Sequence, residues 1–218
     1  MDKSKNHDGG TGRVYGGESL VDRTARRRQQ FLDAGLAIFG TSGYRSATVR
    51  MLCKQAQLTD RYFYESFDSA EDLLMAVYLQ CIERMQGAVL TELMSAPPSG
   101  DIKAIIVKGL DLFFTIVSDA RVARVCWLEV LGVSRRVDAM YNDTLNAFAS
   151  VGLIFARAQF PAWVLDDEEA QVLSVAVVGA VSQSVTHWLL GDYRESKATM
   201  VAATSRVFFG LLATVQEG

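Results

Sequence analysis

Apolar residues recur along this chain at three- and four-residue intervals, and few stretches alternate as strands do. The pattern predicts about nine helices and an all-α fold. The first helix buries Phe31, Ala34, Gly35, Ile38 and Phe39, with Gly40 and Gly43 placed to supply the left-handed residues that end it. Two short helices follow. Thr48 can cap the first of them, because its hydroxyl can accept from an orphan backbone N–H. Val49, Leu52, Cys53 and Ala56 form that helix's apolar face. Leu58 enters a turn, and Thr59 is the candidate cap of the next helix, whose Phe63 and Phe67 are spaced to plug into a small core. A fourth helix runs over 69–94, with Leu73, Leu74, Val77, Cys81 and Met85 on one side, and the Pro-Pro segment at 96–100 breaks it. Asp101 caps a fifth helix reaching about residue 118. A sixth covers 121–131, and a seventh covers 134–159 with Pro161 as its stop. Acidic residues at 166–169 suit the positive end of an eighth helix that reaches Leu190. A ninth spans 195–216.

Residues 44–67 carry the most specific chemistry. With Phe63 and Phe67 turned inward, Thr59, Asp60, Arg61, Tyr62 and Tyr64 are left to point outward. A short helix with donors and aromatics on its outer face is what a major-groove reader needs. Thr48, Thr59 and Tyr64 are candidate phosphate contacts, joined by Tyr44 and Arg50. Arg61 and Tyr62 are candidates for base edges, since Arg can be bidentate to guanine and a Tyr ring can cover a thymine methyl. Asp60 has three readings: accepting from a cytosine amino group, orienting Arg61, or favouring its own helix N-terminus. The bland alternative for the set is a solvated helix with surface aromatics.

The same stretch resembles the TetR family of bacterial transcriptional regulators. The likeness begins in the helix at 27–44, RRQQFLDAGLAIFGTSGY, and continues through Thr48-Val49, Leu58-Thr59 and the Phe63-Tyr64-x-x-Phe67 box. It closes at Glu71-Asp72-Leu73-Leu74. Gln57 stands where a turn glycine is common, Arg61 where a small residue or Pro often stands, and Ala70 where a Lys is frequent. The resemblance implies a helix-turn-helix DNA-binding domain over 21–67, after a flexible arm at 1–20. It also implies an effector-binding and dimerisation domain over 68–218. The expected action is that of a repressor released from a palindromic operator by a small molecule.

Charge is divided in the same way. Residues 1–67 hold 11 Lys/Arg against 7 Asp/Glu, and the rest of the chain holds 11 against 18, within an overall balance of −3. A basic front and an acidic rear suit a protein that presents one face to a polyanion. Cys53, Cys81 and Cys126 form neither a metal-ligand spacing nor a disulfide framework, and read as small core residues in a reducing, cytoplasmic compartment. The first twenty residues contain no apolar signal-peptide core. The apolar stretch 170–190 contains Ser182, Gln183, Ser184, Thr186 and His187, which favours a buried helix over a membrane span.

Two apolar constellations remain. Phe113, Phe114, Val117, Trp127, Met140, Tyr141, Phe148 and Phe155 fall on the fifth to seventh helices. They form either a packed core or the lining of a cavity for a lipophilic effector, and the resemblance favours the cavity. Val172, Val175, Ala176, Gly179, Phe208 and Leu211, on the last two helices, suit either a two-sided core or a homodimer seam, and the resemblance implies the seam. No cofactor motif, phosphate loop, metal-spaced pair or nucleophile elbow is present. His187 lies in a hydrophobic helix without a catalytic partner, so the expectation is a regulator and not an enzyme. The rival class is an all-α ligand-binding protein or enzyme with no DNA role.

Overall fold

The computed structural model describes residues 19–95, 101–160 and 166–216. The body of the expected arm, the break at 96–100 and the stop at Pro161 lie outside the described residues. The described residues are helical with no strand, in the order α1 (Leu20–Phe39), a 3-10 turn (Tyr44–Ser46), α2 (Val49–Ala56), α3 (Asp60–Ser66) and α4 (Ala70–Ser95). Then come α5 (Ile102–Val117), α6 (Ala120–Arg124), a π-helical turn (Val125–Glu129), α7 (Arg135–Gln159), α8 (Asp167–Leu190) and α9 (Lys197–Gln216).

Capping residues fix most of the starts. Ser19 and Asp22 form a reciprocal box at α1, and Asp101, Ser134 and Asp166 cap α5, α7 and α8 with their side chains. Thr48 accepts from the Met51 N–H at 3.3 Å and caps α2. Thr59 occupies the cap position of α3 without a side-chain bond, because Asp60 Oδ1 takes the Arg61 N–H at 3.0 Å. Gly40 is not left-handed, its φ being −72°. It is required for closeness instead: a Cβ there would lie 2.4 Å from Cβ of Arg121. Gly43 does take a positive φ, 86°. The sixth helix is split, since the chain widens from α into a π turn at Val125.

The headpiece, α1 to α3, closes over Phe31, Phe39, Leu52, Phe63 and Phe67, all buried. Phe31 meets Phe63 and Phe67 edge-on, with ring centroids 5.3 and 6.4 Å apart. This core runs without interruption through Leu73, Leu74, Val77 and Tyr78 of α4 into the helical body, so α4 serves both. Cys53, Cys81 and Cys126 are free and buried. Helix α8 departs from the expectation of a buried helix: only Ala170, Val185 and Trp188 are buried within the protomer. Among the described residues it is the one helix long and apolar enough to cross a membrane.

Candidate nucleic-acid interface and ligand cavity

α2 and α3 meet at a tight turn in which Gln57 adopts a left-handed conformation, φ 56°. This geometry, with Phe63 buried beneath α3, turns Thr59, Asp60, Arg61 and Tyr64 to the outside. Tyr64 is 59% exposed, its ring edge-on to that of Phe63 at 5.3 Å. Thr48 and Arg50 are exposed on the same side of the headpiece as the start of α2. Arg61 Nε lies 3.0 Å from Glu65 Oε1, so a base contact by Arg61 requires exchanging that partner. Tyr62 is half-buried, and the Arg27 guanidinium sits 3.8 Å from its ring centroid. It is thus less available than the outward reading assumed, and Arg27 of α1 is brought onto the reading helix in its place. Arg28 lies over the Phe67 ring at 4.8 Å. Lys54, Gln55 and Gln57 are also exposed beside the turn and were not among the sequence candidates.

Tyr44 belongs to the joint between headpiece and body. Its ring meets Phe39 at 5.7 Å, and its backbone N–H donates to Glu129 Oε2 at 2.7 Å. Burial, with the nearby charges of Glu71 and Asp72, pushes its hydroxyl pKa up. Negative neighbours disfavour a phosphate at that hydroxyl. The other oxygen of Glu129 accepts from Arg124 Nε at 2.8 Å. A second clasp joins the start of α4 to α7: Arg136 bonds the Asp72 carboxylate and lies 3.7 Å from Glu71. The Ser69 hydroxyl, then Arg136, hold the Asp72 carboxyl below its ordinary range.

Within the body, α4, α5, α7, α8 and α9 enclose a cavity of about 340 Å³. Phe113, Trp127, Tyr141, Phe148 and Phe155 line it. Phe114, Val117 and Met140 do not. The cavity face of α5 is Ile102, Ile105, Ile106, Gly109, Leu110 and Phe113; Phe114 and Val117 lie on the next face and are buried in the core. There the Phe114 ring meets Trp188 at 5.7 Å, and the Val117 carbonyl accepts from the Tyr193 hydroxyl at 3.1 Å. Met140 packs on the same core. Two residues expected at a dimer seam, Phe208 and Leu211, are in the cavity wall. Their phase on α9 is inward, whereas Ala203, Val207 and Gly210 face out. Val172, Val175, Ala176 and Gly179 are all exposed along one stripe of α8, with Val172 at 69% and Leu190 at 66%.

The profile of "Bacterial regulatory proteins, tetR family" matches residues 31–77, which span α1, the turn, α2, α3 and the start of α4. Over residues 31–77 the chain carries a TetR-family DNA-binding domain. The "Fatty acid metabolism regulator protein" of Bacillus subtilis (strain 168) is 23% identical over 184 residues, 82% of this chain and 90% of that protein. Among solved structures, the fatty acid degradation regulator FadR from Bacillus halodurans superposes with a TM-score of 0.74 at 18% identity, covering 84% of this chain and 95% of that one. FadR from Bacillus subtilis in complex with stearoyl-CoA gives 0.72 at 16% identity, covering 82% and 96%.

The protein is therefore a DNA-binding transcriptional regulator. Its wall residues on α4 and α8 (Tyr78, Ile82, Met85, Leu173, Val177, Val181) were missed as cavity candidates. The available signal was that α8 is apolar on most of its circumference, which leaves one face for the cavity and one for the outside.

Proposed function

We propose that this TetR-family regulator is a cytoplasmic homodimeric repressor without enzymatic activity of its own, released from its operator by a lipophilic small molecule. Residues 21–67 form the DNA-binding unit and 68–218 the effector and dimerisation unit. Thr48, Thr59, Tyr64 and Arg50 position the headpiece on phosphates, with Tyr44 anchoring it to the body. Arg61, aided by Tyr62 and Asp60, faces base edges in the major groove. The apolar stripe of α8 with the outer face of α9 is the seam that a second copy covers, because a contiguous exposed apolar face of this kind marks an interaction site.

One observation carries the switching part of the reading. The π turn has Trp127 in the cavity wall and Glu129 on the Tyr44 N–H. A ligand that displaces Trp127 therefore acts two residues from the group that holds the headpiece. Such a ligand shifts operator affinity only by its differential affinity for the two headpiece arrangements. The apolar wall, the fatty acid regulator among the relatives and the neighbour crystallised with stearoyl-CoA support a lipophilic effector.

The test is anisotropy titration of the full chain against labelled DNA from upstream of its own gene. Binding should weaken steeply with salt, by about 0.9 log unit per log unit for each phosphate neutralised. Addition of a lipophile that raises the melting temperature should lower affinity. Salt-insensitive binding would remove the DNA reading. A stabilising lipophile with no effect on DNA would remove the release mechanism alone.

A further inference from the structure

The cavity can be asked what kind of head group it accepts, an inference that rests on its reading as a lipophile site. None of its lining side chains is charged. Its polar side-chain groups are hydroxyls, the Trp127 indole N–H and the Cys126 thiol, and several of the hydroxyls are already engaged. Tyr78 is set against Thr144, whose own hydroxyl donates to the Met140 carbonyl at 2.9 Å. Ser174 donates to the Ala170 carbonyl at 2.8 Å. Two lining hydroxyls, Tyr141 and Ser182, make no hydrogen bond among the described residues.

These two lie at the same level. Helices α7 and α8 are joined at one end by the Arg157–Asp167 pair, 2.6 Å apart. Counting back along α7 and forward along α8 over the same helical rise brings Tyr141 opposite Ser182. Trp127 and Tyr78, whose ring lies 6.2 Å from that of Tyr141, mark this as the end nearer the headpiece. Burial pushes the Tyr141 pKa up, so the hydroxyl is a neutral donor.

The opposite end of the cavity is acidic. There α8 begins with Asp166 as cap and Asp167, Glu168 and Glu169 in its first turn, and Asp101 caps α5. These carboxylates occupy the positive end of the α8 dipole, which would otherwise attract an anion. Among the described residues at the end of α7 and the starts of α5 and α8, the cations are Arg157, already on Asp167, and Lys103, set 5.6 Å from the Phe209 ring centroid. An anionic head group is therefore opposed in either orientation. Pointing inward, it is buried without a countercharge. Pointing outward, it meets carboxylates.

We propose that the cavity selects lipophiles whose polar group is uncharged, an alcohol, ester or ketone seated between Tyr141 and Ser182, and rejects carboxylate and phosphate-bearing head groups.

The test is calorimetric titration of the full chain with three probes of one chain length: dodecanol, dodecanoate and dodecanoyl-CoA. Dodecanol should bind at least about tenfold tighter than either anion. Tyr141→Phe, and separately Ser182→Ala, should weaken dodecanol about fivefold each, the loss of one hydrogen bond, with the unliganded melting temperature little changed. Dodecanoate or dodecanoyl-CoA binding as tightly as dodecanol would overturn the head-group selection and leave the cavity as a lipophile site. Unchanged dodecanol affinity in both variants would overturn the seat. If none of the three probes binds, the cavity reading fails and this inference fails with it.

Discussion

Replacing Glu129 should loosen the headpiece at one identifiable amide. The carboxylate is 13% exposed, accepts the Tyr44 N–H at 2.7 Å and holds Arg124 at 2.8 Å. A hydrogen bond to a charged acceptor contributes about 1.5–3 kcal/mol net, against about 0.5–1.5 for a neutral one. Glu129→Gln keeps an acceptor in place and loses the charge, a difference of about 1 kcal/mol. Glu129→Ala leaves the Tyr44 N–H and Arg124 without their acceptor, which costs about 2–3 kcal/mol. With 1.4 kcal/mol equal to a factor of ten, Tyr44 amide exchange should quicken about fivefold in the first variant. In the second it should quicken by roughly thirty- to a hundredfold, provided the opening is local. Hydrogen exchange read by NMR checks this, with the Val185 amide in α8 as the remote control. Unchanged exchange at Tyr44 in both variants, or an equal change at Val185, would refute the idea that this contact is what seats the headpiece.

Other outcomes follow from the geometry. Arg61→Ala should relax preference at a single base pair of the operator by about 1–3 kcal/mol, whereas Tyr64→Phe should weaken all sequences alike; a base-by-base binding profile separates them. Val175→Asp, on the exposed α8 stripe, should leave the protomer folded and reduce dimer mass in sedimentation; an unchanged dimer would move the seam elsewhere. Gln57→Gly should raise stability by up to about 1 kcal/mol, because the left-handed φ strains any residue with a Cβ; the gain is offset by the entropy that glycine adds to the unfolded chain. A melting temperature lower than that of the parent would contradict it.

The helices were legible because their ends are written in local chemistry. Asp101, Ser134 and Asp166 each cap the helix they were expected to start, and Thr48 does so for α2. Phe63 and Phe67 are buried for the reason their spacing gave. Helical phase within the body was harder to read. On a helix apolar all round, the choice between Phe113 and Phe114, or between Val207 and Phe208, depends on neighbours that no local pattern encodes. Gly40 ends α1 as expected, but without the left-handed turn; what demands a glycine there is the approach of Arg121, a residue of another helix. The Glu129 clasp joins positions 85 residues apart, and nothing near either end of it in sequence announces the partner.

Helix α8 is a wall with two tenants. Its Val177 and Val181 side face the cavity, while Val172, Val175 and Gly179 face away from it. In the proposed dimer the outward side rests on its own symmetry copy, so the two cavities are separated by little more than a pair of such walls. A ligand that bent one wall would press on the partition of the other cavity. In such a dimer the dose–response curve would be set by communication between protomers as well as by affinity, through a helix that serves a cavity on one face and a partner on the other.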